Sequence, residues 1–389
     1  MVFNSLKSLG TGWLARLLLI TLATPWAYGA YGSNDSTLWR ASSKLEFTGA
    51  QLETNNTKSN DKVLGYRLML NRRNSNANHT LHLQGRFRNT VGAATALVPQ
   101  NRYHIADLTT QDNHSAVTID RMTTSFYTDT SSWVFGRQAI SLGQSYFWNP
   151  LNLTQNTALS QLDSQYARGI DAINSELQLS NGQFRTILAL GKYHQDVDVS
   201  LRGSALIGRY TSYWNTTEWA LQAGKVYGGY SFGGGLSGDI NGIAYRLEGS
   251  RFIAQTGTVY AHNFNSLVLG IGHQFNADFN VDLEYLYNGA GDQMPNASTL
   301  VAVQQGISPQ HNRNLLGISA NYLVSPLLSG SVVYLQAIND ASNYITLGLD
   351  YSLSDEANIT LLTGRSAGKA ETEFGALGKL ISLSYRTYY

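Results

Sequence analysis

Any chemistry in this 389-residue chain has to be done without thiols, because it contains no Cys. That removes disulfides, thiolate nucleophiles and Cys-ligated zinc together. Its eight His are scattered, and none shows the His-x-x-x-His spacing that sets two imidazoles on one helical face for zinc. Gly233, Gly235 and Gly238 match a dinucleotide-binding glycine pattern in spacing. That pattern works only where a helix follows to offer its N-terminus to phosphate, and here the chain continues as strand. A hydrolase embedded in a barrel wall would need Ser and His side by side on the lipid face, whereas the alternation around His82 turns it inward. The expectation is no enzyme, no metal and no cofactor.

The charged residues do show a pattern, and its period is two. Arg67 and Asn71 oppose Leu64, Tyr66, Leu68 and Leu70; Arg86 and Arg88 oppose Leu83 and Phe87; Arg246 and Glu248, then Asp282 and Glu284, repeat it later. In an extended chain this spacing gathers the polar groups on one face. Arg67, Arg86, Arg88, Arg209, Glu218, Arg246, Glu248, Asp282 and Glu284 are therefore expected to line a pore. Basic groups come early and acidic ones later, which implies a field across the lumen.

A second chemical feature is "FGRQAISLGQSYFWNPLNLTQ", Phe135 to Gln155. It begins as a strand, breaks at Gly143, and is too rich in aromatic groups for a solvated loop. The connection 141–167 is expected to fold back into the lumen and narrow it, with Gln144, Tyr146, Trp148, Asn149, Pro150 and Asn152 at the constriction. An outer cap or an aromatic patch at the membrane interface is the alternative.

The elements that position these residues follow from composition and periodicity. With 37 Gly, 23 Tyr, 13 Phe and 7 Trp, the chain is aromatic-rich yet polar on average. Transmembrane β-barrels have this balance, because lipid-facing and lumen-facing residues alternate. Eighteen alternating segments can be marked, near 44–52, 63–73, 81–88, 115–127, 131–140, 168–178, 183–191, 204–213 and 217–225. They continue near 231–239, 243–253, 265–275, 279–288, 313–323, 327–337, 344–352, 357–363 and 378–389, with no convincing helix between them. Sixteen strands would also fit. Every second connection is a tight turn of Asn, Asp, Ser, Gly or Pro, such as Trp214–Thr216 and Ile240–Gly242, while the alternate ones near 89–114, 141–167 and 289–312 are long. Short periplasmic turns and longer outer loops are the barrel rule. The fold expected is all-β: a closed transmembrane antiparallel barrel, wide enough at this strand number to hold water.

Lys7 and Arg16 precede "LLLITLA", then "TPWAYG", which reads as a signal peptide over 1–29 and leaves 30–389 as one barrel domain. Its removal lowers the formal charge from +1 to −1, which excludes the basic footprint of a nucleic-acid binder. The last strand, "KLISLSYRTYY", alternates and stops on an aromatic, as a segment read by the outer-membrane barrel assembly machinery would. The expected address is the outer membrane of a Gram-negative bacterium, with lipid and lipopolysaccharide as surroundings and small hydrophilic solutes as cargo.

"GRQAISLGQ" followed by "FWNPLNL", and "RGIDAI" at Arg168 to Ile173, resemble the strand–loop signature of porin-like proteins in the broad alginate-export grouping. The resemblance implies an eighteen-stranded barrel with a basic lumen and occluding loops. Acidic residues on the inner face and the lack of a long periplasmic loop depart from it, so a small-solute porin is the expected activity. A polysaccharide exporter or a non-conducting surface barrel is the alternative.

Overall fold

The computed structural model describes residues 39–389 except 55–57, 74–76, 92–102, 106–108, 112–114, 153, 155–168, 194–197, 257–259 and 305, and omits the side chains of 59, 61, 85–91, 109–111, 115, 116 and 304. The expected signal segment 1–29 lies outside the described residues. Nineteen strands are present among them: β1 (Trp39–Glu53), β2 (Lys58–Arg73), β3 (Ala77–Val91), β4 (Thr109–Gln111), β5 (Ser115–Tyr127), β6 (Ser131–Gln138), β7 (Ile170–Leu179), β8 (Gly182–Ala189), β9 (Ala205–Trp214) and β10 (Thr217–Val226). They continue with β11 (Gly229–Ile240), β12 (Ile243–Ala254), β13 (Phe264–Asn276), β14 (Phe279–Asn288), β15 (Asn314–Ser325), β16 (Leu328–Ala337), β17 (Asn343–Ser354), β18 (Ala357–Ala367) and β19 (Lys379–Tyr388).

All but β4 join one antiparallel wall, and the wall closes because β1 pairs with both β2 and β19. Lys44 faces Arg67 on one side and Tyr388 on the other. The result is an 18-stranded closed barrel. Closure leaves no row of unpaired N–H and C=O groups, which hydrocarbon would not tolerate. No described helix is long and apolar enough to cross a membrane, so any crossing is made by strands.

The outer face is apolar and exposed: Leu221, Phe232, Leu269, Ile271, Leu347, Leu361 and Leu383 all point away from the barrel. At the end with the tight turns the rings gather, Phe275 stacking on Phe279 at 5.3 Å and Phe279 meeting Tyr322 edge-on at 6.2 Å. Such aromatic girdles mark membrane interfaces. The turns hold the geometry by residue type. Asn215 and Asn241 take positive φ of 54° and 55°, with Gly242 at 81°, the left-handed conformations that tight hairpins demand.

The interior differs at its two ends. Toward the turn end the inner face is polar, as expected. Toward the loop end, from β7 round to β17, it is filled by two apolar clusters. Ile140, Leu142, Ile170, Ile187, Ile207, Phe252 and Phe264 form one with Ala302 and Ile307. Trp148, Val268, Leu286, Leu315, Leu335, Tyr344 and Phe374 form the other.

Three short elements depart from the expected absence of helix and from the strand list, one of them a single 3-10 turn at Gly375–Leu377. α1 (Ala297–Gln304) sits in the connection between β14 and β15, started by Asn296, whose side chain accepts Thr299 N–H at 3.0 Å while Thr299 Oγ1 accepts Asn296 N–H at 2.9 Å. This reciprocal cap fixes a helix start in a segment too short for periodicity to betray. β4 pairs with Thr118, Val117 and Ala116 of β5, the stretch of edge that β6 leaves uncovered, since β6 pairs only from Met122 downward.

Candidate functional site: a loop braced across the lumen

β6 ends at Gln138, and the chain then leaves the wall. Gly136, at φ 109°, allows the departure: a Cβ there would lie 2.1 Å from Met122 O. The following segment crosses the interior and is gripped by carboxylates on the far wall. Glu284 Oε1 accepts Tyr146 N–H at 2.6 Å, and Oε2 accepts Phe147 N–H at 2.6 Å and Trp148 N–H at 3.2 Å. Glu248 Oε1 accepts the N–H groups of Gln144 and, at 2.9 Å, Ser145. Gln144 also donates its side-chain amide to Glu218 and accepts from Ser237. Tyr146 hydroxyl meets Ser319 Oγ at 3.1 Å, and Gln222 Nε2 donates to Leu151 O at 2.8 Å.

The segment braces itself as well. Asn149 Oδ1 accepts Ser145 N–H at 3.1 Å while Asn149 Nδ2 donates to Ser145 O at 3.2 Å. Asn152 N–H bonds Asn149 O at 3.0 Å, closing a turn whose second residue, Pro150, has its φ preset by its ring. Trp148 and Leu151 are buried at 1% and 0% exposure, and the wall makes room for the apolar groups by omitting side chains. A Cβ on Gly317 would sit 2.6 Å from Phe147 Cδ2, and one on Gly233 would sit 2.6 Å from Leu151 Cδ2. Two of the three glycines that imitate a nucleotide-binding pattern, Gly233 and Gly235, thus form part of a cradle for this loop. Valine at Gly317 is expected to lift Phe147 from the wall at a cost of about 1–3 kcal/mol, the usual range for overpacking. Increased quenching of tryptophan fluorescence by aqueous acrylamide would report the displacement of Trp148, and unchanged quenching would contradict it.

The structure brings Gln144, Tyr146, Trp148, Asn149, Pro150 and Asn152 together with Glu218, Glu248 and Glu284. Arg246 stands in the same group, its Nη2 donating to Asp282 Oδ1 at 2.6 Å, and Arg209 lies close enough to Glu248 and Glu218 to interact with their charge. Arg67 is apart, on β2 opposite Lys44 and Gln84. Register puts Arg86 opposite Gly65 and Arg88 opposite Val63, but their side chains lie outside the described residues, as does the loop from 155 to 168.

Below the loop, toward the turn end, opens a cavity of 1010 Å³ bordered by Gln144, Arg185, Arg209, Thr211, Tyr213 and Glu218. Arg185 and Arg209 face each other across β8 and β9, and Arg209 Nη1 is buried with no hydrogen-bond partner among the described residues. On the opposite side, β17 to β3, the inner wall carries a run of polar groups. Arg386 Nε donates to Glu46 at 2.9 Å, Lys44 Nζ stands 3.1 Å from Glu46, Thr48 meets Ser384 at 2.9 Å, and Asp350 accepts from Asn358.

Sequence reasoning passed over Arg185, Ser237, Gly317 and Ser319. Arg185 and Ser319 share the polar phase of their strands and were within reach of the period-two argument; Gly317 was not, since only the packed ring of Phe147 reveals its purpose.

No family model and no curated protein matches the sequence. Solved structures do match the fold. OccAB4 of Acinetobacter baumannii superposes with a TM-score of 0.60 at 11% identity, covering 92% of this chain and 100% of that one. OccK11 (OpdR) of Pseudomonas aeruginosa gives 0.58 at 10%, covering 90% and 95%. OccK2 (OpdF) of the same organism, in complex with glucuronate, gives 0.57 at 9%, covering 90% and 97%. The barrel is porin-like. These neighbours are outer-membrane porins, and they do not support the likeness to alginate-export proteins or the exporter alternative.

Proposed function

We propose that this barrel is an outer-membrane channel of a Gram-negative bacterium for small hydrophilic solutes. The observation that carries this reading is the division of the interior. A braced loop and two apolar clusters fill the side from β7 to β17, while the side from β17 to β3 keeps a polar wall. Solute passes between that wall and the loop, so the segment 141–152 sets the width of the path and Gln144, Tyr146 and Asn149 stand nearest to it, Trp148, Pro150 and Asn152 being buried. The apolar band outside meets lipid and lipopolysaccharide, and β19 is the strand offered to the assembly machinery.

The same division alters the electrical reading. Glu218, Glu248 and Glu284 are turned to loop donors, and Asp282 to Arg246, so the later acidic residues face the braced segment rather than the path. The polar wall from β17 to β3 carries both signs, with Lys44 and Arg386 beside Glu46 and with Asp350 among neutral donors, so the path suits small hydrophilic solutes that bond groups of either sign, carboxylate-bearing ones among them. The glucuronate held by OccK2 is of that class. Single-channel recording of the refolded protein in a planar bilayer tests the reading: discrete open steps support it, and a silent barrel rejects it. Replacing Arg86 and Arg88, which the alternation of β3 assigns to the inner face, by Gln is expected to move the chloride-to-potassium permeability ratio toward cations by about twofold or more, because charge lining a pore controls ion choice. An unchanged reversal potential would remove both residues from the path.

A further inference from the structure

At the loop end a set of hydrogen bonds ties three separate connections together. Glu373, between β18 and β19, accepts Asn312 N–H at 2.5 Å from the connection between β14 and β15. Its own N–H donates to Asp340 Oδ2 at 2.8 Å, in the connection between β16 and β17. The next residue, Phe374, donates its N–H to Ser342 Oγ at 3.1 Å. Ser342 in turn gives both its N–H and its hydroxyl to Asp340 Oδ1, at 2.9 and 2.6 Å. Phe374 is 3% exposed and packs in the apolar cluster that contains Trp148. One residue pair therefore fastens the three connections to each other and to the packing behind the braced loop.

A carboxylate in that position is poorly provided for. Burial, and then the charge of Asp340, push its pKa up to about 7, although the N–H groups of His311 and Asn312 pull the other way. No salt bridge to Glu373 is formed among the described residues. The other ionisable groups on the elements around it do not compensate. Burial holds His311 below the usual histidine value, so it brings no positive charge at neutral pH. Arg313 is paired with Asp292 at 3.4 Å. Lys369 and Glu371, on Glu373's own connection, are exposed and of opposite sign.

We propose that Glu373 is a pH-operated latch: carrying its proton it holds the three connections together, and its ionisation lets them part. In the parted form the carboxyl returns to its ordinary value of 4.5, whereas in the closed form it keeps its proton to about 7. The advantage of the closed form is thus complete below the lower value and is lost as pH rises to the upper one. Within that window each pH unit shifts the balance toward the parted form by about tenfold, one proton being released. The latch concerns the loops alone and stands or falls independently of conduction.

Hydrogen exchange of the full chain in lipid vesicles tests it, following peptides that cover 311–314 and 372–378 from pH 4.5 to 8. The chemical exchange rate at each pH is divided out, and peptides of β9 and β10 serve as the reference. Protection should fall by about tenfold per unit up to about pH 7 and then level off. Glu373→Gln should abolish the slope and keep the connections protected throughout. Asp340→Asn, which removes the neighbouring charge, should make the fall end at a lower pH. Equal slopes in the parent protein and Glu373→Gln would overturn the proposal, as would protection in the parent that ignores pH. If Glu373→Gln does not fold, the Asp340→Asn profile decides, and an unshifted end point overturns the latch.

Discussion

Glu284→Ala is expected to release the braced loop and to raise unitary conductance, with open-channel noise that the parent protein lacks. Glu284 is fully buried and takes three consecutive backbone N–H groups of the loop. A hydrogen bond to an ionised partner contributes about 1.5–3 kcal/mol. Bonds to one group are not additive, so a loss on the order of 4 kcal/mol is a reasonable expectation for the three. That shifts the balance between seated and released loop by about a thousandfold, since each 1.4 kcal/mol is a factor of ten. A loop seated a hundred to one would then be mostly released. Glu248→Ala should do less, because Asn149 Oδ1 still accepts Ser145 N–H and only the Gln144 N–H loses its acceptor. Glu284→Gln should be intermediate, keeping one acceptor oxygen and the volume. Conductance and noise identical to the parent in Glu284→Ala would show that the apolar seats of Phe147 and Leu151 hold the loop unaided.

The strands were legible because alternation is strict where one face meets lipid and the other water. Each of the eighteen expected segments overlaps one of the eighteen wall strands, from 44–52 within β1 to 378–389 over β19. Legibility failed where that premise lapses. At the loop end of β7, Ile170 and Ala172 face inward, and Ile187 and Ala189 of β8 join them; an apolar inner face there means that loops, not water, fill the lumen. The sequence carries this as apolar residues on both phases, "IDAI" and "TILA", which was available as a signal. The brace itself was half visible. Aromatic density marked Tyr146 to Leu151 as a segment needing burial, and Glu248 and Glu284 were assigned to the inner face. That the second would grip the first could not be read, because it depends on contacts across more than a hundred residues. β4 and α1 escaped for a related reason: a three-residue strand exists only because β6 deserts its neighbour.

That desertion leads to the largest expected effect on stability. Where β6 leaves, the wall between β5 and β7 is held by Arg137 and Asp171. Arg137 Nε and Nη2 grip the two carboxylate oxygens at 2.8 and 2.9 Å, and Nη1 reaches Ile119 O at 3.1 Å. Asp171 Oδ2 also accepts Ile105 N–H at 2.7 Å, and Asp171 N–H donates to Tyr103 O at 2.8 Å, so the connection between β3 and β5 is sewn into the gap. Arg137 is 2% exposed, which places this pair in a different class from Arg185 and Glu176, whose side chains are 21% and 32% exposed. Exposed pairs contribute about 0–1 kcal/mol, whereas removing one partner of a buried pair costs about 3–5 kcal/mol by stranding the other charge. Arg137→Ala should therefore lower unfolding stability in lipid vesicles, read from the urea midpoint, by about 3–5 kcal/mol, and Arg185→Ala by about a fifth of that. Adding Asp171→Ala to Arg137→Ala should recover part of the loss, because the stranded carboxylate goes with its partner. If the double variant were as unstable as the sum of the two single ones, the pair would be acting through separate contacts and the gap would owe its closure to β4 and Tyr103 instead.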